Sequence, residues 1–106
     1  MKAVEFKNNI KQIKDQLRGL TIQMITKYAT TPHKSLKSFG EAILEQESYG
    51  YDFTVSQAWT NDGIVDIRSF NDLLELLKTK SVRAIQVCTY KPYNGFGDLV
   101  RSGNLD

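Results

Sequence analysis

Two residue types that carry out nucleophilic or general-base chemistry occur once each in this 106-residue chain, as Cys88 and His33. A histidine base needs an orienting carboxylate within hydrogen-bond reach, whereas the neighbours of His33 are Pro32 and Lys34. Cys88 lies in an apolar stretch, where a free cysteine acts as a small buried hydrophobe and its thiolate is disfavoured. A dyad of the two stays open, because such partners meet in space and not in sequence. We expect no catalytic residues and a protein that is not an enzyme.

Metal and cofactor sites are not indicated by the remaining polar residues. One Cys and one His cannot supply the four ligands of a structural zinc site. Asp52, Asp62 and Asp66 are candidate oxygen ligands for Mg²⁺ or Ca²⁺, but their spacing does not match an EF-hand loop. Neither G-x-x-x-x-G-K-[ST] nor G-x-G-x-x-G occurs, so both common phosphate-binding loops are missing. The sequence therefore predicts no metal and no cofactor.

Aromatic residues alternate with Lys, Arg and Gly near the C-terminal end of the chain. This mixture suits a single-stranded nucleic acid or a nucleotide, because rings stack on bases while cations meet phosphate. The alternative for residues 92–106 is a flexible tail whose aromatic side chains pack against the sheet. The candidate binding residues of this segment are Tyr90, Lys91, Tyr93, Asn94, Phe96 and Arg101.

A basic stripe follows the N-terminal segment at spacings of four, three and four residues. These spacings place its members along one flank of a helix. The stripe is either a solvated face, a surface for a protein partner or another subunit, or a surface for nucleic-acid phosphate. Its members are Lys7, Lys11, Lys14 and Arg18.

The same segment carries an apolar seam with the a/d spacing of one helical face. It predicts a long first helix that continues past Gly19 to about Tyr28; in the alternative, Gly19 ends the helix and residues 21–26 form a strand. A helix of roughly 25 residues extends about 37 Å, more than this domain needs, so we hypothesise a homodimer that buries the overhang. The seam consists of Phe6, Ile10, Ile13, Leu17, Leu20 and Met24.

Later segments predict two more helices, each with a serine cap. Pro32 breaks the first pattern, Ser35 is a plausible N-cap of a helix that ends before Gly50, and Ser69 caps a helix that runs into Lys80.

Strand patterns surround the last of these helices. Residues 53–59 alternate with period two, and Asn61-Asp62-Gly63 leads into residues 64–67, which together predict a β-hairpin. Residues 82–90 predict a further strand beside it. The expected fold class is α+β: two N-terminal helices, a β-hairpin, a helix and a further strand, forming a small antiparallel or mixed sheet with helices packed on one face.

Length and composition fit one globular domain over residues 1–106, with 41% apolar and 25% charged residues. A single cysteine favours a reducing compartment, and we expect a cytoplasmic protein. No apolar run reaches the roughly 18 residues that span a bilayer, so we expect no membrane insertion.

Charge is segregated along the chain. Residues 1–40 hold eight Lys or Arg against Glu5 and Asp15, a net charge of +6, whereas residues 41–76 hold eight Asp or Glu against Arg68, a net charge of −7. Either these blocks face each other within the fold or they form a dipolar surface. The leading hypothesis is a small non-enzymatic interaction module, an adaptor or inhibitor that docks on a protein partner. The alternative is a nucleic-acid or nucleotide-binding protein that uses the basic stripe or the C-terminal aromatic segment.

Overall fold

Helices and strands alternate along the computed structural model, which describes residues 1–92. The helical segments are α1 (Ala3–Asn9), a 3₁₀ segment (Ile10–Ile13), α2 (Lys14–Leu17), α3 (Leu36–Ser48) and α4 (Phe70–Thr79). The strands are β1 (Thr21–Ile25), β2 (Thr30–His33), β3 (Asp52–Thr60), β4 (Gly63–Asp66) and β5 (Val82–Tyr90).

The five strands form one mixed sheet in the order β2-β1-β5-β3-β4. Only β1 and β5 are parallel, with Thr21 beside Ala84 and Ile25 beside Cys88. The other three pairings are antiparallel. The protein is thus an α+β fold with helices on a small open sheet, as the sequence predicted.

One hydrophobic core lies between the helices and a single face of the sheet. The alternation of strand side chains sends every second residue into this core. The sheet residues in this core are Ile22, Met24, Phe53, Val55, Ala58, Ile85 and Val87. The buried helix residues include Phe6, Ile13, Leu17, Phe39, Ile43, Phe70, Leu73 and Leu76. Among residues 1–92, no helix has both the length and the apolar character that a membrane crossing requires.

The prediction of a first helix that continues to Tyr28 is wrong. Helical structure ends at Leu17, Gly19 adopts a φ of +83°, and the β-branched stretch that follows forms β1. A positive φ is a conformation that glycine adopts without the steric penalty of a Cβ, so Gly19 ends the helix rather than interrupting it.

The apolar seam is consequently buried within one chain and is not free to pair with a second copy. Four of its members lie in the core and the other two are partly buried against it, so the overhang that motivated a seam-mediated homodimer does not exist. The residues concerned are Phe6, Ile13, Leu17 and Met24, with Ile10 and Leu20 at the edge of the core.

Strand β2 is a second correction, because the sequence predicts a break at Pro32 whereas Thr30–His33 forms a strand. Pro32 lies within β2 opposite Gln23 of β1. A proline fits an edge strand when its nitrogen faces away from the neighbouring strand, since no hydrogen bond is then lost.

The remaining local predictions are confirmed. Ser35 Oγ accepts a hydrogen bond from Ser38 N at 3.1 Å, and Ser69 Oγ accepts one from Asp72 N at 3.3 Å, so both serines cap their helices. β3 and β4 form the predicted hairpin around Asn61-Asp62, and β5 pairs with β3.

Candidate functional site

An apolar groove separates the first helical segment from α3. It encloses about 510 Å³, and its floor is formed by Phe6, Phe39 and Phe53. The three rings pack edge to face, with centroids 6.0 to 6.5 Å apart. Such a volume lies within the range of ligand sites, about 300–1,000 Å³.

The groove is open because α3 presents a glycine at its rim. A Cβ built on Gly40 would meet no heavy atom within 4 Å. One turn further along α3, Leu44 is 68% exposed beside the same groove. A large apolar side chain that stays in water next to an apolar hollow is typical of a binding surface.

The two ends of the groove differ in charge. At one end Lys7 forms an ion pair with Glu47, and its Nζ lies 5.6 Å from the centroid of Phe53. At the other end Lys14 and Lys37 line the groove. A second hollow of about 290 Å³ adjoins this end.

Two further cations from separate segments line that second hollow. Lys34 precedes α3, and Arg18 follows α2 and lies 3.6 Å from Asp15 in an ion pair that is exposed on both sides. The groove therefore runs from an apolar stretch into a cluster of four basic residues. We call this cluster the basic end: Lys14, Arg18, Lys34 and Lys37.

The structure divides the predicted basic stripe. All four members are exposed. Lys7 and Lys14 line the groove, and Arg18 lines the adjoining hollow. Lys11 lines neither of them. The 3₁₀ segment changes the angular spacing between successive residues, so an α-helical stripe does not continue through it. Sequence reasoning missed Lys34, Lys37 and the rim residues Gly40 and Leu44, because tertiary packing alone brings α3 beside α1.

A second candidate surface contains tyrosines at the end of the sheet. A hollow of about 310 Å³ is lined by Tyr28, Tyr49, Tyr51 and Lys91, together with Thr26 and Gln46. Lys27 and Lys91 each lie 5.5 Å from a tyrosine centroid, those of Tyr28 and Tyr51 respectively. Gln46 Oε1 is buried and has no hydrogen-bond partner within residues 1–92. We call this surface the tyrosine cluster.

Only two of the six predicted C-terminal binding residues fall within the described part of the chain. Lys91 belongs to the tyrosine cluster, and the Oη of Tyr90 donates a hydrogen bond to Asp52 Oδ2 at 3.4 Å. Partial desolvation raises the pKa of Tyr90, although 42% of the residue is exposed, and the negative charge of Asp52 and this hydrogen bond raise it further. Tyr93, Asn94, Phe96 and Arg101, and the predicted tail over residues 92–106 beyond Pro92, lie outside the described residues.

His33 and Cys88 lie on opposite faces of the sheet. The ring of His33 packs against the core residue Phe39 at 6.3 Å between centroids. Cys88 follows the buried Val87, and its Sγ lies 3.7 Å from Ser56 Oγ on the other face. The two side chains therefore do not form a dyad.

The partner of His33 is a serine. His33 Nδ1 lies 2.7 Å from Ser38 Oγ, and His33 Nε2 is buried with no hydrogen-bond partner in the part of the chain described. In that part no carboxylate hydrogen-bonds the ring, so the orienting group of a catalytic triad is missing.

The three candidate carboxylates are dispersed. Asp52 accepts from Tyr90, Asp62 lies 3.6 Å from Lys80 Nζ, and Asp66 accepts from Gln57 at 3.2 Å. Across residues 1–92, no three His, Cys, Asp or Glu side chains come together as a potential metal site.

No family model, curated protein or solved structure matches this chain. The groove, the tyrosine cluster and the exposed strand edges are thus the features that carry functional information.

Proposed function

We propose that the protein is a small non-enzymatic interaction module, an adaptor or inhibitor, that docks on a protein partner through the groove between α1 and α3. The observation that carries the proposal is the apolar hollow over Phe6, Phe39 and Phe53, which adjoins the basic end. Apolar side chains of a partner would gain the free energy of leaving water there, about 25 cal/mol per Å² of apolar surface.

The charge of the basic end specifies the partner further. Lys14, Lys34 and Lys37 form no ion pair within residues 1–92, and Arg18 has only an exposed one. Acidic side chains that follow the apolar anchors would meet these cations and fix the direction in which the partner lies. The expected ligand is a protein segment with two or three large apolar residues followed by Asp or Glu.

Gly40 offers a direct test of this ligand. We would select random displayed peptides on the parent chain and counter-select them on Gly40→Leu, whose side chain fills the groove. Gly40→Ala is the matched control, because its Cβ projects into open space. The enriched peptides should combine apolar and acidic residues, bind Gly40→Ala as they bind the parent, and bind Gly40→Leu at least about tenfold more weakly.

Two results would contradict the proposal. One is enrichment of peptides that bind Gly40→Leu and the parent equally, which would place the binding surface elsewhere. The other is unchanged affinity of the acidic peptides for the double variant Lys14→Glu, Lys37→Glu.

The tyrosine cluster favours a second candidate function, the binding of single-stranded nucleic acid. Its exposed rings, Tyr28 at 84% and Tyr49 at 59%, lie beside Lys27 and Lys91, and base stacking on an aromatic ring contributes about 1–3 kcal/mol per base. Titration with oligothymidine at two salt concentrations tests it, with Tyr28→Ala and Tyr49→Ala as variants and Val4→Ala as the control. Absence of binding at about 50 mM salt would eliminate this candidate.

A further inference from the structure

The two edges of the sheet differ in their capacity to pair with another strand. At the β2 edge, the hydrogen bond from Thr26 N to Ala29 O makes these two residues a hydrogen-bonded pair. Such pairs alternate with non-hydrogen-bonded pairs along an antiparallel ladder, so Thr31 and His33 also exchange hydrogen bonds with β1. Pro32 lies between them and turns its nitrogen, which carries no hydrogen, to the outside. This edge lacks a donor where an incoming strand would need one.

The β4 edge retains both of its outward donors. Ile67 N donates a hydrogen bond to Ser56 O at 2.9 Å, so Ile67 and Ser56 form a hydrogen-bonded pair. Because such pairs alternate along the antiparallel ladder, Val65 exchanges hydrogen bonds with Ala58 of β3. The N–H and C=O groups of Ile64 and Asp66 therefore face away from β3. Among the strands of residues 1–92, β4 is the last of the sheet, and all four of its residues are exposed.

A groove runs beside this edge. It encloses about 540 Å³ and is lined by residues of β4 and α4, with Val65 contributing from β4 and Leu76 from α4. Val65 lies opposite the core residue Ala58, so it faces the helices, and it is 36% exposed. An apolar side chain and two outward backbone donors therefore border the same channel. These are the parts that strand addition requires: a main-chain ladder for affinity and an adjacent channel for alternate side chains.

The channel is acidic. Asp72 and Glu75 of α4 line it with one cation, Arg68; Asp66 of β4 also borders it, and its carboxylate accepts a hydrogen bond from Gln57. Asp72 Oδ2 accepts a hydrogen bond from the backbone N of Arg68 at 3.0 Å. Within residues 1–92 none of the three carboxylates forms an ion pair.

We propose that β4 binds an extended basic segment of a partner protein by strand addition, with its backbone paired to Ile64 and Asp66 and its Lys or Arg side chains facing the acidic channel. A second copy of this chain fits less well. Pairing of β4 with its own symmetry mate would bring two sets of three carboxylates together. This surface is independent of the groove between α1 and α3.

The test uses a fluorescent peptide of alternating Lys and Val residues, with binding followed by anisotropy. The first control is the same peptide methylated on all of its backbone nitrogens, which keeps its charge and loses the donors of both edges. The second control is a peptide of alternating Glu and Val. We expect saturable binding of the Lys peptide, at least about tenfold weaker binding of the methylated one, and none of the Glu peptide.

Two substitutions at one position separate backbone from charge. Asp66→Pro removes the outward N–H and leaves the Val65 bonds to β3, as Pro32 does in β2. Asp66→Ala removes the carboxylate and keeps the N–H. We expect Asp66→Pro to bind the Lys peptide about tenfold more weakly than Asp66→Ala does.

Equal affinity of the methylated and unmethylated peptides would overturn strand addition, and this comparison needs no variant to fold. Equal binding of the Lys and Glu peptides would overturn the charge assignment. If the parent chain instead self-associates in sedimentation and Asp66→Pro abolishes this, the occupant is a second copy and the proposal is wrong.

Discussion

The contact between Tyr90 and Asp52 makes one side chain sensitive to alkaline pH. Partial desolvation, the charge of Asp52 and their hydrogen bond all raise the pKa of Tyr90 above its ordinary value of about 10. The folded state therefore holds the phenol proton more tightly than the unfolded chain does. The contribution of Tyr90 to stability is complete below pH about 10 and is lost as pH rises through the raised pKa.

Asp52→Asn should lower the pKa of Tyr90 part of the way towards its ordinary value. The charge disappears, whereas the partial desolvation, which is the largest cause, stays. Phenolate absorbance as a function of pH measures this, with Tyr90→Phe used to identify the signal of Tyr90 among the other tyrosines. An unchanged pKa in Asp52→Asn would show that Asp52 has no part in the shift.

A second residue-scale prediction concerns Glu5, which connects α1 to α4. Its Oε2 accepts a hydrogen bond from Phe70 N at 2.7 Å, at a helix end where backbone donors lack helical partners. Glu5→Ala should lower the free energy of unfolding by about 1–2 kcal/mol, since it leaves this donor unpaired. Urea denaturation measures the loss. Glu41→Ala, at an exposed position, is the control and should change stability by less than about 0.5 kcal/mol.

At the scale of elements, the backbone conformations of two glycines predict opposite changes in stability for the same substitution. Gly40 lies inside α3 with open space around its Cβ position, so Gly40→Ala should stabilise the protein by about 0.5–1 kcal/mol. Gly63 starts β4 with a φ of +128°, so Gly63→Ala should destabilise it by about 1–3 kcal/mol. Thermal and urea unfolding of the two variants give the comparison, and the same sign for both would contradict the assigned backbone conformations.

The two proposed docking surfaces also depend on how elements meet. The first groove exists because α1 and α3 both border the three phenylalanine rings and leave open space between them. The acidic channel exists because α4 lies along a strand edge that nothing within residues 1–92 covers. In both cases neither element alone contains a concave surface.

At the scale of the whole molecule, some charges of the two sequence blocks form ion pairs, and others gather in separate surface regions. Among the three ion pairs of residues 1–92, Lys7–Glu47 joins the basic block 1–40 to the acidic block 41–76, and Lys80–Asp62 joins the acidic block to the segment that follows it. Exposed pairs of this kind stabilise a fold by about 0–1 kcal/mol. The larger consequence is that the basic end and the acidic channel come from different blocks.

The central position of β5 predicts how the chain tolerates shortening. β5 pairs with both β1 and β3 and contributes Ile85 and Val87 to the core. A chain that ends at Lys80 should therefore show no cooperative unfolding, because two neighbouring strands lose their partner. A chain that ends at Pro92 keeps every buried residue of the described core and should unfold cooperatively. Circular dichroism during heating compares the two, and cooperative unfolding of the shorter chain would contradict the role given to β5.

The sequence by itself determined the elements whose signals are local. The serine caps at Ser35 and Ser69, the turn at Asn61-Asp62 and the two-residue period of β3 depend on residues within a few positions, so they were predicted correctly. The alternation of apolar residues likewise predicted helices packed on one face of a sheet.

Tertiary structure decided which of two locally acceptable structures forms and which surfaces stay open. The stretch from Leu20 to Met24 satisfies a helical and a strand pattern equally, and its pairing with β5, about sixty residues away, selects the strand. The candidate sites depend on the same long-range packing. Lys34 and Lys37 each line a hollow that Lys14 also lines, and Glu75 lines the same channel as Asp66, only once separate elements are packed together. A groove is formed by two surfaces, so it cannot be recognised in a short stretch of sequence.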